Sequence, residues 1–158
     1  MSLTPLWTVP RIDRGKIHYV RLKSGGYRLI KDVRLYVGIN YAAVARHQFG
    51  GQPLIDLTND GWLTIRAGYW WDGASGPVVD RKSNMRAGLV HDALYHLLRK
   101  SLIPQECREP ADELYRRIYL ADGGWPWVGD MDYVALRLFA KHAAKPQPEV
   151  EERALVAP

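Results

Sequence analysis

The chain has 158 residues, 47% of them apolar and 25% charged, enough for one domain with its own hydrophobic core. Its formal net charge is +5, but Lys and Arg are scattered rather than clustered, so charge gives no support for nucleic-acid binding. The single cysteine, Cys107, excludes an intramolecular disulfide and a cysteine-based zinc site within one chain.

No stretch approaches the ~18 apolar residues of a membrane span. The opening Met-Ser-Leu-Thr-Pro-Leu-Trp has neither a basic n-region nor a long apolar run, so no signal peptide is expected. Residues 16–22 are rich in β-branched and aromatic types, Ser24-Gly25-Gly26 supplies a turn, and residues 27–39 resume strand chemistry. Val33, Leu35 and Val37 alternate with Arg34 and Tyr36, a period of two with one buried face. Residues 40–53 read as a loop with room for one helical turn at Ala42–Ala45. Short strands follow at 54–57 and 62–67 around Asn59-Asp60-Gly61, a turn signal. Residues 68–80 hold three aromatics, three glycines and a proline, a compact loop between two unlike halves.

The second half is helical. The first helix covers roughly 83–100, with Ser83 as a candidate cap. Its core is 85–99, where Leu89, Val90, Ala93, Leu94, Leu97 and Leu98 trace an amphipathic stripe. The second helix covers about 110–122, with Pro110 in its first turn, Glu109 as a candidate cap and Gly123-Gly124 at its end. The third covers about 128–143. Strands first and helices after predict the α+β class: a small antiparallel sheet with about three helices packed on it. The domain is expected over residues 1–144, and 145–158 reads as a disordered or loosely docked tail.

Chemistry is expected first at His91-Asp92, two titratable groups in mid-helix. Neighbours on a helix diverge by about 100°, so His91 and Tyr95 share one face while Asp92 and His96 share another. Asp112, at the start of the next helix, is within reach of a short helix–helix link. Histidine with carboxylates suits zinc or a harder Mg/Mn ion, with His91, Asp112 and Asp72 as the ligand set. Without a metal, His91 polarised by an aspartate is a general base. The plain alternative is structural: Asp92 pairs with Arg86, Arg99 or Arg116, and His91 is a buried histidine with one satisfied nitrogen. In the loop Asp72-Gly73-Ala74-Ser75-Gly76-Pro77, a nucleophilic Ser75 is disfavoured, because Pro77 stands where a Gly-x-Ser-x-Gly turn needs its second glycine. Trp70, Trp71, Trp125 and Trp127 are of a type that stacks sugars or bases, but the plain expectation is that they plug the seam between sheet and helices.

Three elements together, Asp72-Gly73-Ala74-Ser75-Gly76-Pro77, Val90-His91-Asp92-Ala93-Leu94-Tyr95 and Ala111-Asp112, resemble a family of small phage and prophage proteins called domain of unknown function 1353. The resemblance spans roughly residues 25–140. Trp71 and Gly73 depart from the family's usual loop, which has Thr and Leu at those places. The resemblance implies a phage or prophage origin, with the host bacterial cytoplasm or the virion as location, and no established activity. It gathers Asp72, Ser75, His91, Asp92 and Asp112 into one expected site.

Two functions follow as expectations. In the first, the chain is a small metal-assisted hydrolase. His91 and one or two of Asp72, Asp92 and Asp112 would ligate the ion, the remaining carboxylate would be the base, and Tyr95 or Ser75 would position the substrate. In the second, it is a non-enzymatic virion or tail accessory, or a host-interaction protein. The His-Asp-Tyr cluster is then a buried polar network that specifies how the helices dock.

Overall fold

The computed structural model describes residue 7 and residues 10–47, 51–73 and 80–147. The expectations for Ser75 and for the tail beyond 147 lie outside the described residues. The strands are β1 (Tyr19–Arg21), β2 (Tyr27–Leu29), β3 (Val33–Tyr36), β4 (Ala43–Arg46), β5 (Pro53–Leu57), β6 (Trp62–Ile65) and β7 (Trp70–Trp71). The helices are α1 (Met85–Arg99), α2 (Arg108–Ala121), α3 (Pro126–Phe139) and the short α4 (Lys141–Ala144). The class is α+β, with strands and helices segregated along the chain as expected.

The strands form two antiparallel sheets, ordered β1-β2-β7 and β3-β6-β5-β4. The run 27–39, read as one strand, is divided between them. At the break the Asp32 carboxylate accepts hydrogen bonds from the Ala67 backbone N–H (2.8 Å) and the Arg66 guanidinium (2.9 Å). These bonds satisfy backbone that a continuous ladder would otherwise have paired. The Ser24-Gly25-Gly26 hairpin forms as expected, with β1 and β2 paired Tyr19 to Leu29 and Arg21 to Tyr27.

In the four-stranded sheet, register aligns two apolar rows on one face. One row is Leu35, Leu63, Leu57 and Ala43; the other is Val33, Ile65, Ile55 and Ala45. β4 occupies the stretch expected as a loop with a helical turn. Its alanines favour helix when isolated, yet Ala43 and Ala45 alternate buried with exposed Val44 and Arg46, and pairing with β5 overrides local preference. Small residues on this strand leave room for α1, which packs on it.

α1 is less amphipathic than its stripe implied. Of its 15 residues, 11 are buried, including Gly88 and His91, because the helix packs on β4, α2 and α4. Only Arg86, Asp92, His96 and Arg99 reach toward solvent. α2 buries Ala111, Asp112, Leu114, Tyr115, Ile118 and Tyr119. It begins at Arg108 after Cys107, so Glu109 is not its cap. Gly123, at φ 91°, ends it as expected. α3 buries only Gly129, Asp132 and Leu136. At its middle Asp132 accepts from the Arg81 guanidinium at 2.8 Å and from the Tyr115 hydroxyl at 3.4 Å.

The turn before β6 depends on a glycine in the left-handed region. Gly61 has φ 89°, and an added Cβ would stand 2.9 Å from Cε2 of Tyr36 and 3.1 Å from Cα of Gly38. Gly61→Ala is expected to lower the unfolding free energy by about 1–2 kcal/mol through the left-handed backbone alone. Urea denaturation followed by circular dichroism measures it.

Candidate functional site

Consecutive positions on α1 serve different faces of the helix. His91 and Tyr95 point inward to α2, where Asp112 waits with no exposed surface. Nε2 of His91 and Oδ1 of Asp112 are 2.8 Å apart, and the Tyr95 hydroxyl donates to the same oxygen at 2.7 Å. The other carboxylate oxygen, Oδ2, accepts from Arg137 of α3 at 2.9 Å. The Arg108 guanidinium stands 3.9 Å from Oδ2, donates to the Tyr95 hydroxyl oxygen at 3.2 Å, and donates to the carbonyls of Leu136 and Arg137 in the last turn of α3. The His91 and Tyr95 rings lie 4.1 Å apart between centroids.

Burial alone would raise the Asp112 pKa. The hydrogen bond and charge of His91, with the bonds from Tyr95 and Arg137, outweigh it and hold the carboxyl below its ordinary value. Burial, followed by the Asp112 charge, pushes the Tyr95 phenol up. The cluster is therefore ionic at Asp112 and almost closed to solvent, with His91 keeping 1% and Tyr95 2% of its surface.

The other face of α1 carries Asp92, His96 and Arg99. Asp92 Oδ2 accepts from the Tyr69 hydroxyl at 2.7 Å, and Arg99 approaches Oδ1 at 3.9 Å. Of the three arginines expected to pair with Asp92, this is the one that does. Desolvation raises the Asp92 pKa, with Tyr69 and Arg99 offsetting only part of it and the Asp72 charge adding to it. Tyr69 is also raised, by burial and then by Asp92. His96 is lowered to about 4, by burial and then by Arg99 and Lys100.

Two adjoining cavities open here. One, of about 190 Å³, is lined by His91, Asp92, Tyr95, Asp72, Arg99 and Phe139, among others. The other, of about 540 Å³, adds Tyr69, His96, Arg46, His47 and Lys100 around the same Asp72, Asp92 and Arg99. Together they reach the size usual for a small-molecule cleft.

The residues expected to act together thus fall into two groups. His91, Tyr95 and Asp112 meet in the core. Asp92 and exposed Asp72 face the cleft. As metal ligands the donors fit poorly, because both Asp112 oxygens already accept hydrogen bonds and a guanidinium occupies the approach to Oδ2. Among the described residues, no group of three or more His, Cys, Asp or Glu is placed to hold a metal ion. Tyr69, Arg108 and Arg137 went unnoticed in the sequence. The only local signal was an arginine at 137 between two leucines. The tryptophans depart from expectation: Trp71 is buried, but Trp70, Trp125 and Trp127 are 52%, 70% and 62% exposed and plug no seam.

No family model, curated protein or solved structure matches this chain.

Two outcomes follow. Asp112→Ala leaves three buried or half-buried donors without their acceptor and is expected to cost about 3–5 kcal/mol of stability, read by denaturant unfolding. His96 gives the stability a pH dependence. The unfolded chain protonates this residue near the ordinary 6.5, whereas the folded chain does so only near 4. Between these values the unfolded state binds the extra proton, so stability falls as pH falls. His96→Gln is expected to flatten that part of a plot of urea midpoint against pH, and an unchanged slope would assign it elsewhere.

Proposed function

We propose that this chain is a small hydrolase working without a bound metal, and that its reaction takes place in the cleft on the Asp92 face of α1. The observation that carries the reading is the Asp92 carboxyl itself. It is desolvated, its pKa is raised, and it faces a cleft that also holds exposed Asp72. Two carboxyls in unlike surroundings on one cleft are the arrangement acid–base hydrolysis uses. Protonated Asp92 gives its proton to the leaving atom of the scissile bond. Asp72 takes a proton from the water whose oxygen forms the new bond. Tyr69 orients Asp92, and Arg99 offers a cation to an anionic part of the substrate. The phage or prophage setting rests on the three sequence elements described above, and it makes peptidoglycan the first substrate to test, with nucleotide derivatives next.

His91, Tyr95 and Asp112 form the supporting wall in this reading. His91 has almost no surface with which to touch a substrate, and its bond to Asp112 aligns the helix that carries Asp92.

A second reading, a non-enzymatic phage accessory or host-interaction protein, is favoured by the apolar residues that α3 presents to solvent. Its partners would be phage structural proteins or a host factor.

Purified peptidoglycan and a panel of nucleotide derivatives, incubated with the wild-type chain and with Asp92→Asn, distinguish the two. Cleavage by the wild type that falls by about 10²–10⁴-fold in Asp92→Asn, with thermal stability kept, supports the hydrolase. No cleavage of any of them by the wild type, or full activity in the variant, overturns it and leaves the second reading.

A further inference from the structure

The wider cavity beside Asp92, of about 540 Å³, lies where both sheets meet α1. Arg46 comes from the end of β4 and Trp70 from β7. Arg99 is the last residue of α1, and Lys100 follows it. Three cations therefore face two aspartates, Asp72 and Asp92, and burial favours the neutral form of Asp92. Among the described residues, neither Arg46 nor Lys100 has a carboxylate partner. The smaller cavity shares Asp72, Asp92 and Arg99 but adds Phe139, Ala140 and Ala143 in place of further cations. The excess positive charge lies in the wider part.

We propose that the wider cavity is a subsite for a nucleoside monophosphate, with the phosphate on Arg46, Arg99 and Lys100 and the base on the Trp70 ring. The proposal rests on the hydrolase reading only in making this ligand part of a substrate; binding it needs no reaction.

Charge is the first argument. Cations at the C-terminal end of a helix complement its dipole without any ligand, which by itself accounts for Arg99 and Lys100. It does not account for Arg46, which another element brings to the same cavity. With Asp92 protonated, as the proposed acid must be, two positive charges remain uncompensated. That is close to the charge of a phosphate monoester near neutral pH, about −1.5 to −2. A single carboxylate, such as a peptide terminus, would offset only half of it.

Preorganisation is the second argument. The Arg46 guanidinium already donates to the Gly51 carbonyl at 2.7 Å, and Arg99 is held 3.9 Å from Asp92. The Trp70 indole N–H donates to the Gly25 carbonyl at 3.3 Å. Its ring lies against Gly26, where an added Cβ would stand 2.7 Å from Nε1. The ring is nevertheless 52% exposed. An anchored, exposed indole beside cations is a platform for a base, and side chains already held lose less freedom on binding. Single-stranded nucleic acid is the poorer occupant. It needs cations along a track, whereas these converge on one cavity.

Calorimetric titration of the full chain with the four ribonucleoside monophosphates tests the proposal, with adenosine, inorganic phosphate, muramyl dipeptide and a single-stranded oligonucleotide as comparisons. At least one monophosphate is expected to bind about tenfold more tightly than the nucleoside and about fivefold more tightly than inorganic phosphate. Arg46→Gln and Lys100→Gln are each expected to weaken it about tenfold, and Trp70→Ala about fivefold, with thermal unfolding retained. Should Trp70→Ala fail to fold, the comparison with inorganic phosphate carries the test of the ring. In NMR titrations the bound phosphate is expected to raise the His96 pKa from its depressed value near 4. No binding of any monophosphate at millimolar concentration overturns the proposal. So does binding no tighter than that of inorganic phosphate, full affinity in both cation variants, or tighter binding of muramyl dipeptide or the oligonucleotide. A chain that binds a monophosphate but cleaves nothing keeps the subsite and loses the hydrolase. One that cleaves peptidoglycan but binds no monophosphate keeps the hydrolase and loses the subsite.

Discussion

A carboxylate with no contact with water must find its hydrogen-bond donors inside the protein, and the Asp112 carboxylate finds them on the two helices that flank its own. His91 and Tyr95 come from α1, and Arg137 comes from α3. The effective desolvation cost of a buried ion is several kcal/mol, offset only when every lone pair finds a donor in good geometry. The requirement acts as a constraint on helix placement. A slide of α3 along α2 would part Arg137 from Oδ2, and a rotation of α1 would part His91 and Tyr95 from Oδ1. Arg108 extends the same restraint by donating to carbonyls of the last turn of α3. α3 is thus held at its C-terminal end by Asp112 and Arg108 and at its middle by Asp132, which pairs with Arg81.

That mode of attachment explains why α3 looks inside out. A helix docked by apolar packing turns its leucines inward. One docked by two buried aspartates and a glycine needs only a narrow contact strip, and its large apolar residues are free to face outward. Its pattern of hydrophobic residues alone therefore misleads. Tyr133, Val134, Leu136, Leu138 and Phe139 look like a core stripe in the sequence, yet only Leu136 is buried.

The same contrast marks what could be read from the chain. Local signals served well: Ser24-Gly25-Gly26 and Asn59-Asp60-Gly61 as turns, Gly123 as a helix stop, and the separation of His91 and Asp92 onto different faces of α1. These depend on backbone angles and helix geometry, which neighbouring residues determine. The failures are long-range. β4 was missed because an alanine-rich stretch reads as helix until β5 pairs with it. The break at Asp32 depends on the distant Ala67 N–H. Tyr69 reaches Asp92 from the stretch just before β7, and Arg137 reaches Asp112 from another helix. No spacing rule links such pairs. For the candidate site, the sequence was enough to single out His91, Asp92 and Asp112, but the division into an almost closed group and an accessible one came only with the third dimension.

That division has a further consequence, carried by carboxyls of one residue type with opposite shifts. Asp112 is held below its ordinary pKa, because its donors outweigh burial. Its contribution to stability is complete above the ordinary value of 3.8 and is lost only as pH falls through the lower folded value. Asp92 and Asp132 are raised, because desolvation outweighs their partners. Each of these two favours the protonated form in the folded chain, so ionising it opposes folding as pH rises past its folded value. As pH falls, Asp92 and Asp132 therefore take up their protons before Asp112 does, which relieves the cleft and the mid-helix attachment of α3 while the Asp112 anchor stays ionised. A proton can then enter or leave Asp92 without loosening the helices that position it, which is the separation of duties that the acid–base role proposed for Asp92 requires of its scaffold.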